Sequence, residues 1–104
     1  MILPGYYEFC CRVKTVAGHD ALEKIPGLLA PMKAIRPMII TDKGVSGAGL
    51  VKIATSAMKG GKFSIAAMYD NVPPDSEIKI VEEVAKQYRA KKCDSIIAIG
   101  GGSV

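Results

Sequence analysis

Asp94-Ser95-Ile96-Ile97-Ala98-Ile99-Gly100-Gly101-Gly102-Ser103 is the stretch that decides the fold class. Asp94 to Ile99 is a short run rich in β-branched side chains, the composition of a buried strand. It passes straight into three glycines and a serine. Consecutive glycines are costly in chain entropy, so a loop built from them suggests that something must approach the backbone closely. At the carboxyl end of a parallel strand, such a loop lets backbone N–H groups reach an anion, and Ser103 could donate a further hydrogen bond to a phosphate oxygen. A plain glycine-rich turn is the competing reading. The spacing is not the G-x-G-x-x-G dinucleotide fingerprint, and neither is Gly44-Val45-Ser46-Gly47-Ala48-Gly49.

Upstream of this stretch the same pattern recurs. Pro37–Thr41 is an apolar run that stops at the turn signal Asp42-Lys43-Gly44. Leu50, Ile53, Ala54, Ala57 and Met58 predict a helix over Ala48–Lys59, with Gly60-Gly61 as its stop. Lys62–Tyr69 reads as a second buried strand, followed by a loop over Asp70–Asp75. Asp75 reads as a helix cap, with Ser76 and Glu77 in the first turn. Ile78, Val81, Val84, Ala85 and Tyr88 then form one apolar stripe, with Glu82 and Lys86 paired on the wet side. Strand–helix–strand–helix–strand with near-continuous apolar strands predicts an α/β fold: a parallel βαβαβ sheet with flanking helices and right-handed crossovers. Ahead of it, Phe9, Val13 and Val16 give Tyr7–Ala17 the character of a strand or hairpin. Gly18-His19-Asp20 opens a short helix, with Asp20 and Glu23 at capping-box spacing and Pro26 as a first-turn residue.

Composition bounds the function. A chain of 104 residues is one domain or part of one. With 49% hydrophobic and 23% charged residues and a mean hydropathy of +0.22, it is globular and not disordered. Few aromatic residues and no Trp disfavour a base-stacking platform. The net charge of +4 does not imply nucleic acid, because the lysines are scattered. Their densest cluster, Arg89-Ala90-Lys91-Lys92, falls at a helix end, where the dipole favours cations. Three cysteines cannot build a disulfide scaffold and suit a reduced, cytoplasmic setting. No apolar run is long enough for a membrane span.

Few residues offer chemistry. Asp42, at the carboxyl end of the first strand, is either a turn or cap aspartate or an acceptor for a ribose diol that repels a 2′-phosphate. Asn71 and Asp75 lie on the same sheet edge, and capping already explains Asp75. His19 has no companions for a metal site. Alternation sends Cys10 and Cys11 to opposite faces as buried small residues, and Cys93 packs beside a strand. No catalytic triad or carboxylate pair can be assembled.

Taken together, Gly18–Pro26, Ile40–Gly44 with Gly49–Lys52, Asp70–Ser76 and Cys93–Val104 resemble the iron-containing (group III) alcohol dehydrogenases, in the right order and spacing over about residues 9–104. The resemblance implies that Gly100, Gly101, Gly102 and Ser103 form a pyrophosphate-binding loop. It also implies that Asp42 contacts the adenosine ribose and selects NAD(H). Asp75 stands where many members of that family carry Asn. A C-terminal helical domain holding a divalent metal, iron or zinc, is implied outside these residues, so neither a catalytic residue nor a metal ligand is expected here. An alcohol, aldehyde or ketone substrate and a homo-oligomer are implied as well. The chain thus reads as the N-terminal part of an NAD-binding domain: the glycine loop lacks the helix that should follow, and the sequence looks cut. Residues 1–104 alone are expected to show no turnover and weak or absent NAD binding. Two alternatives remain: a relative such as a glycerol dehydrogenase or dehydroquinate synthase, and a non-catalytic stand-alone α/β module. A receiver-type module would need an acid beside Asp42 and a lysine near Gly100–Ser103, and the sequence has neither.

Overall fold

Pro37–Ile40 forms strand β1, with Met38 and Ile39 fully buried, in a computed structural model that describes Gly5, Tyr6, Glu8, residues 10–75 and residues 77–104. Strands β2 (Ala67–Tyr69) and β3 (Ser95–Ala98) both pair with β1 in parallel, giving the order β2-β1-β3. Met38 stands opposite Ala67 on one side and Ile96 on the other. Four helices accompany the sheet: α1 (Ile25–Leu29), α2 (Lys43–Gly47), α3 (Leu50–Ala57) and α4 (Ile78–Ala90). Alternation along β1 sends Met38 to the α4 side, where it clusters with Ala67, Tyr69 and Val72 beneath Ile80, Val84, Tyr88 and Cys93. Burying a side chain the size of Met38 contributes about 1.5–3 kcal/mol. Burial, and then the charge and hydroxyl contact of Glu83, raise the Tyr69 phenol pKa and keep it protonated at neutral pH.

The parallel α/β architecture matches the sequence reading; several details do not. The helix expected over 48–59 is α3, but the turn expected at Asp42–Gly44 instead opens a further helix, α2, capped by Asp42 and separated from α3 by Gly49 at φ 80. The regular part of the second strand shrinks to Ala67–Tyr69, although Ser64 and Ala66 still donate to the Ile35 and Pro37 carbonyls at 2.8 and 2.9 Å. Asp75 does not cap α4. It sits at φ 53, and Glu77, in extended geometry, occupies the cap position without a side-chain bond; Ser76 lies outside the described residues. Asp20 precedes a 3-10 turn, Ala21–Lys24, but its side chain makes no capping bond. Pro26 does stand in the first turn of α1.

The predicted N-terminal strand or hairpin is absent from residues 10–17, which are exposed and pair with no strand; Tyr7 and Phe9 lie outside the described residues. No strand among the described residues pairs with this segment, so the β character of Val13 and Val16 produces no strand there. Cys10 and Cys11 are accordingly exposed rather than buried, whereas Cys93 packs against the core. Glu82 and Lys86 are exposed, and among the described residues the ion pair is Lys43–Asp70. No helix among these residues is long and apolar enough to cross a membrane.

Candidate functional site

The order β2-β1-β3 means that the chain leaves β1 toward one neighbour and later returns to its other side. Right-handed crossovers then place α4 and the α2–α3 pair on opposite faces, with a crevice outside the carboxyl ends of the strands. Open α/β sheets bind ligands in that crevice.

Thr41, fully buried, ties the crevice together. Its N–H donates to the Tyr69 carbonyl at 2.8 Å and its hydroxyl to the Ile99 carbonyl at 2.7 Å. Its own carbonyl accepts the Val72 N–H at 3.3 Å. One residue therefore fixes the carboxyl ends of all three strands. Sequence reasoning passed over Thr41; the available signal was a polar residue closing an otherwise apolar run, since a buried hydroxyl needs a partner.

Asp42 follows in extended geometry and caps α2, its Oδ1 accepting the Val45 N–H at 2.7 Å. A Cβ added at Gly100 would lie 3.7 Å from Asp42 Oδ2 and only 2.7 Å from Val104 Cγ2. The tight contact is therefore with Val104, within the glycine loop itself, while Asp42 stands at ordinary van der Waals distance from Gly100. Added Cβ atoms at Gly101 and Gly102 would meet nothing within 4 Å, so that stretch of loop presents open backbone. Ser103 Oγ accepts the Asp75 N–H at 3.3 Å, which joins the glycine loop to the loop after β2. Lys43 Nζ pairs with Asp70 Oδ1 at 3.0 Å.

These elements enclose a cleft of about 460 Å³ lined by Asp42, Lys43, Asn71, Pro73, Pro74 and Ser103 among others. The structure therefore brings Asp42, Asn71 and Ser103 together, with Gly100 beside Asp42. Asp75 is exposed and reaches the site only through its backbone N–H. The arrangement offers a fixed carboxylate, two prolines as an apolar wall, and open backbone at Gly101 and Gly102. No group of three His, Cys, Asp or Glu side chains gathers among the described residues, so a metal has no ligand set there.

The family model for iron-containing alcohol dehydrogenase matches residues 13–104. This chain belongs to that family. The iron-type chain is 41% identical over 68 residues to 4-hydroxybutyrate dehydrogenase of Cupriavidus necator, an alignment covering 65% of this chain and 17% of the relative. It is 33% identical over 104 residues to the long-chain primary alcohol dehydrogenase AdhA of Thermoanaerobacter ethanolicus, covering 93% of this chain and 25% of that one. Lactaldehyde reductase of Escherichia coli is 35% identical over 68 residues, with 65% of this chain and 18% of the relative covered. The iron-type chain thus spans about a quarter or less of the length of these curated relatives. Among solved structures, maleylacetate reductase from Agrobacterium tumefaciens superposes with a TM-score of 0.74 at 13% identity, covering 97% of this chain and 27% of that one. At that identity the likeness establishes the fold alone.

Proposed function

We propose that this iron-type chain forms the adenosine- and pyrophosphate-binding wall of an NAD-dependent alcohol dehydrogenase that interconverts alcohols with aldehydes or ketones. The observation that carries this reading is the convergence at Thr41, which sets the Asp42 carboxylate beside a glycine loop with open backbone. In this role Asp42 accepts hydrogen bonds from the ribose diol, and its charge disfavours a 2′-phosphate. The N–H groups of Gly101 and Gly102 and the Ser103 hydroxyl bind the pyrophosphate. Asp75 serves by positioning Ser103. Hydride chemistry is supplied by the nicotinamide when the dinucleotide is bound. The metal-binding and substrate-binding residues of such an enzyme are assigned to no residue of this chain. The names of the relatives support an alcohol or aldehyde substrate.

Saturation-transfer NMR between the chain and NAD+ tests the reading. The adenine and adenosine-ribose protons are expected to receive saturation more strongly than the nicotinamide protons. The cleft commits this reading to weak rather than absent NAD+ binding by residues 1–104, so transfer confined to the nicotinamide, or none, would overturn it.

A further inference from the structure

Two acids and one lysine stand at the rim of the cleft. Asp42 lies at the end of β1 and is fixed as the α2 cap, so its position does not depend on Lys43. Lys43 is the next residue, lines the same cleft, and directs its ammonium to Asp70. Asp70 follows β2 directly, immediately before Asn71, another residue of the cleft wall. The pair is solvent-accessible, with 69% of the Lys43 side chain and 37% of the Asp70 side chain exposed. Lys43 is the one cation of this cleft wall, and its charge is matched by an acid from outside that wall. An incoming group carrying about two negative charges would meet Asp42 without an unmatched cation beside it.

We infer that Asp70 is a specificity-determining positioning residue, which holds Lys43 away from the ribose 2′ position and thereby keeps the site selective for a dinucleotide without a 2′-phosphate. The inference rests on the proposed dinucleotide site and adds a second determinant to the charge of Asp42. Exposed ion pairs are weak and exchange readily. Releasing Lys43 should therefore cost the fold little while giving a 2′-phosphate a partner.

The test compares NAD+ and NADP+ dissociation constants, by NMR titration of the chain, for wild type, Asp70→Asn, Asp70→Glu and the double variant Asp70→Asn/Lys43→Ala. The expected result is that Asp70→Asn narrows the preference for NAD+ by about 1.5- to five-fold by tightening NADP+, the size of one exposed charge contact. Asp70→Glu should retain the wild-type preference, and removing Lys43 in the Asp70→Asn background should restore it. Folding is followed by the unfolding midpoint, which Asp70→Asn should leave in place. If wild type binds neither dinucleotide, the proposed site and this inference both fall. If wild type binds NAD+ but Asp70→Asn leaves the ratio unchanged, or the gain survives loss of Lys43, the inference alone is overturned.

Discussion

Asp42 divides its work between two oxygens. Oδ1 closes the first turn of α2, while Oδ2 is the oxygen nearest Gly100. The two functions separate by substitution, because Asn caps a helix as well as Asp does whereas Ala does not. Asp42→Ala should destabilise the fold by about 1 kcal/mol, and Asp42→Asn by only a few tenths. Both should weaken discrimination against NADP+, since both remove the charge. Thermal unfolding and the ratio of dinucleotide dissociation constants check this; an Asn variant that discriminates like wild type would remove Asp42 from its assigned role. The sequence left cap and ribose contact open for Asp42, and the cap is what the structure shows. Asp75 was misread because capping was inferred from residue type, while its left-handed backbone places the extended residue, Glu77, two positions later.

At the scale of elements, the junction of α4 and β3 is held by Asp94 and Arg36. The Asp94 carboxylate accepts the Ile35 and Arg36 N–H groups, each at 2.9 Å, and the Ser95 hydroxyl at 2.9 Å. The Arg36 guanidinium donates to the carbonyls of Lys91 and Lys92, closing the carboxyl end of α4. The Ile35 N–H bond, with those of Arg36 and Ser95, outweighs partial burial and holds the Asp94 carboxyl below its ordinary 3.8. A pKa depressed on folding contributes stability that is complete above the unfolded value and fades as pH falls through the folded one. Asp94→Asn should therefore lower the unfolding midpoint at neutral pH and flatten its decline between about pH 5 and pH 2. Parallel curves for variant and wild type would contradict this. The three strands were legible because a sheet covered by helices on both faces demands continuous apolar runs. α2 was not, since Gly44, Ser46 and Gly47 carry turn chemistry, and it is the backbone bonds from Ser46 N–H to the Asp42 carbonyl and from Ala48 N–H to the Gly44 carbonyl, each at 3.0 Å, that make the turn helical. The strand assigned to 7–17 failed for a different reason: β-forming side chains such as Val13 and Val16 state a preference for a sheet, and no strand among the described residues pairs with residues 10–17.

At the scale of the whole molecule, two of the cavities among the described residues adjoin the carboxyl end of the sheet and compete as ligand sites. One is the polar cleft at the carboxyl ends of the strands. The other is an apolar groove of about 430 Å³ between α4 and β3, lined by Val81, Tyr88 and Ile96 among others. Val81 and Ile96 are more than half exposed, at 63% and 56%. Size does not separate the cavities; chemistry does, because the groove is walled mainly by apolar side chains, with Tyr88, Arg89 and Ser103 as its polar exceptions, while a dinucleotide carries a diol and two phosphates. The glycine loop that first marked the chain is also the place where the claim of nucleotide binding is most exposed to test. The decisive measurement is a titration of the 15N-labelled chain with NAD+, followed at the backbone amides. Binding with a dissociation constant of about 1 mM would correspond to about 4 kcal/mol. Saturable shifts are expected at Gly100, Gly101, Gly102, Ser103, Asp42 and Asn71, with the amides of Val81, Tyr88 and Ile96 still. Shifts confined to the α4–β3 groove, or a glycine loop that does not respond at about ten times that concentration, would contradict the assignment of this chain as a dinucleotide-binding wall.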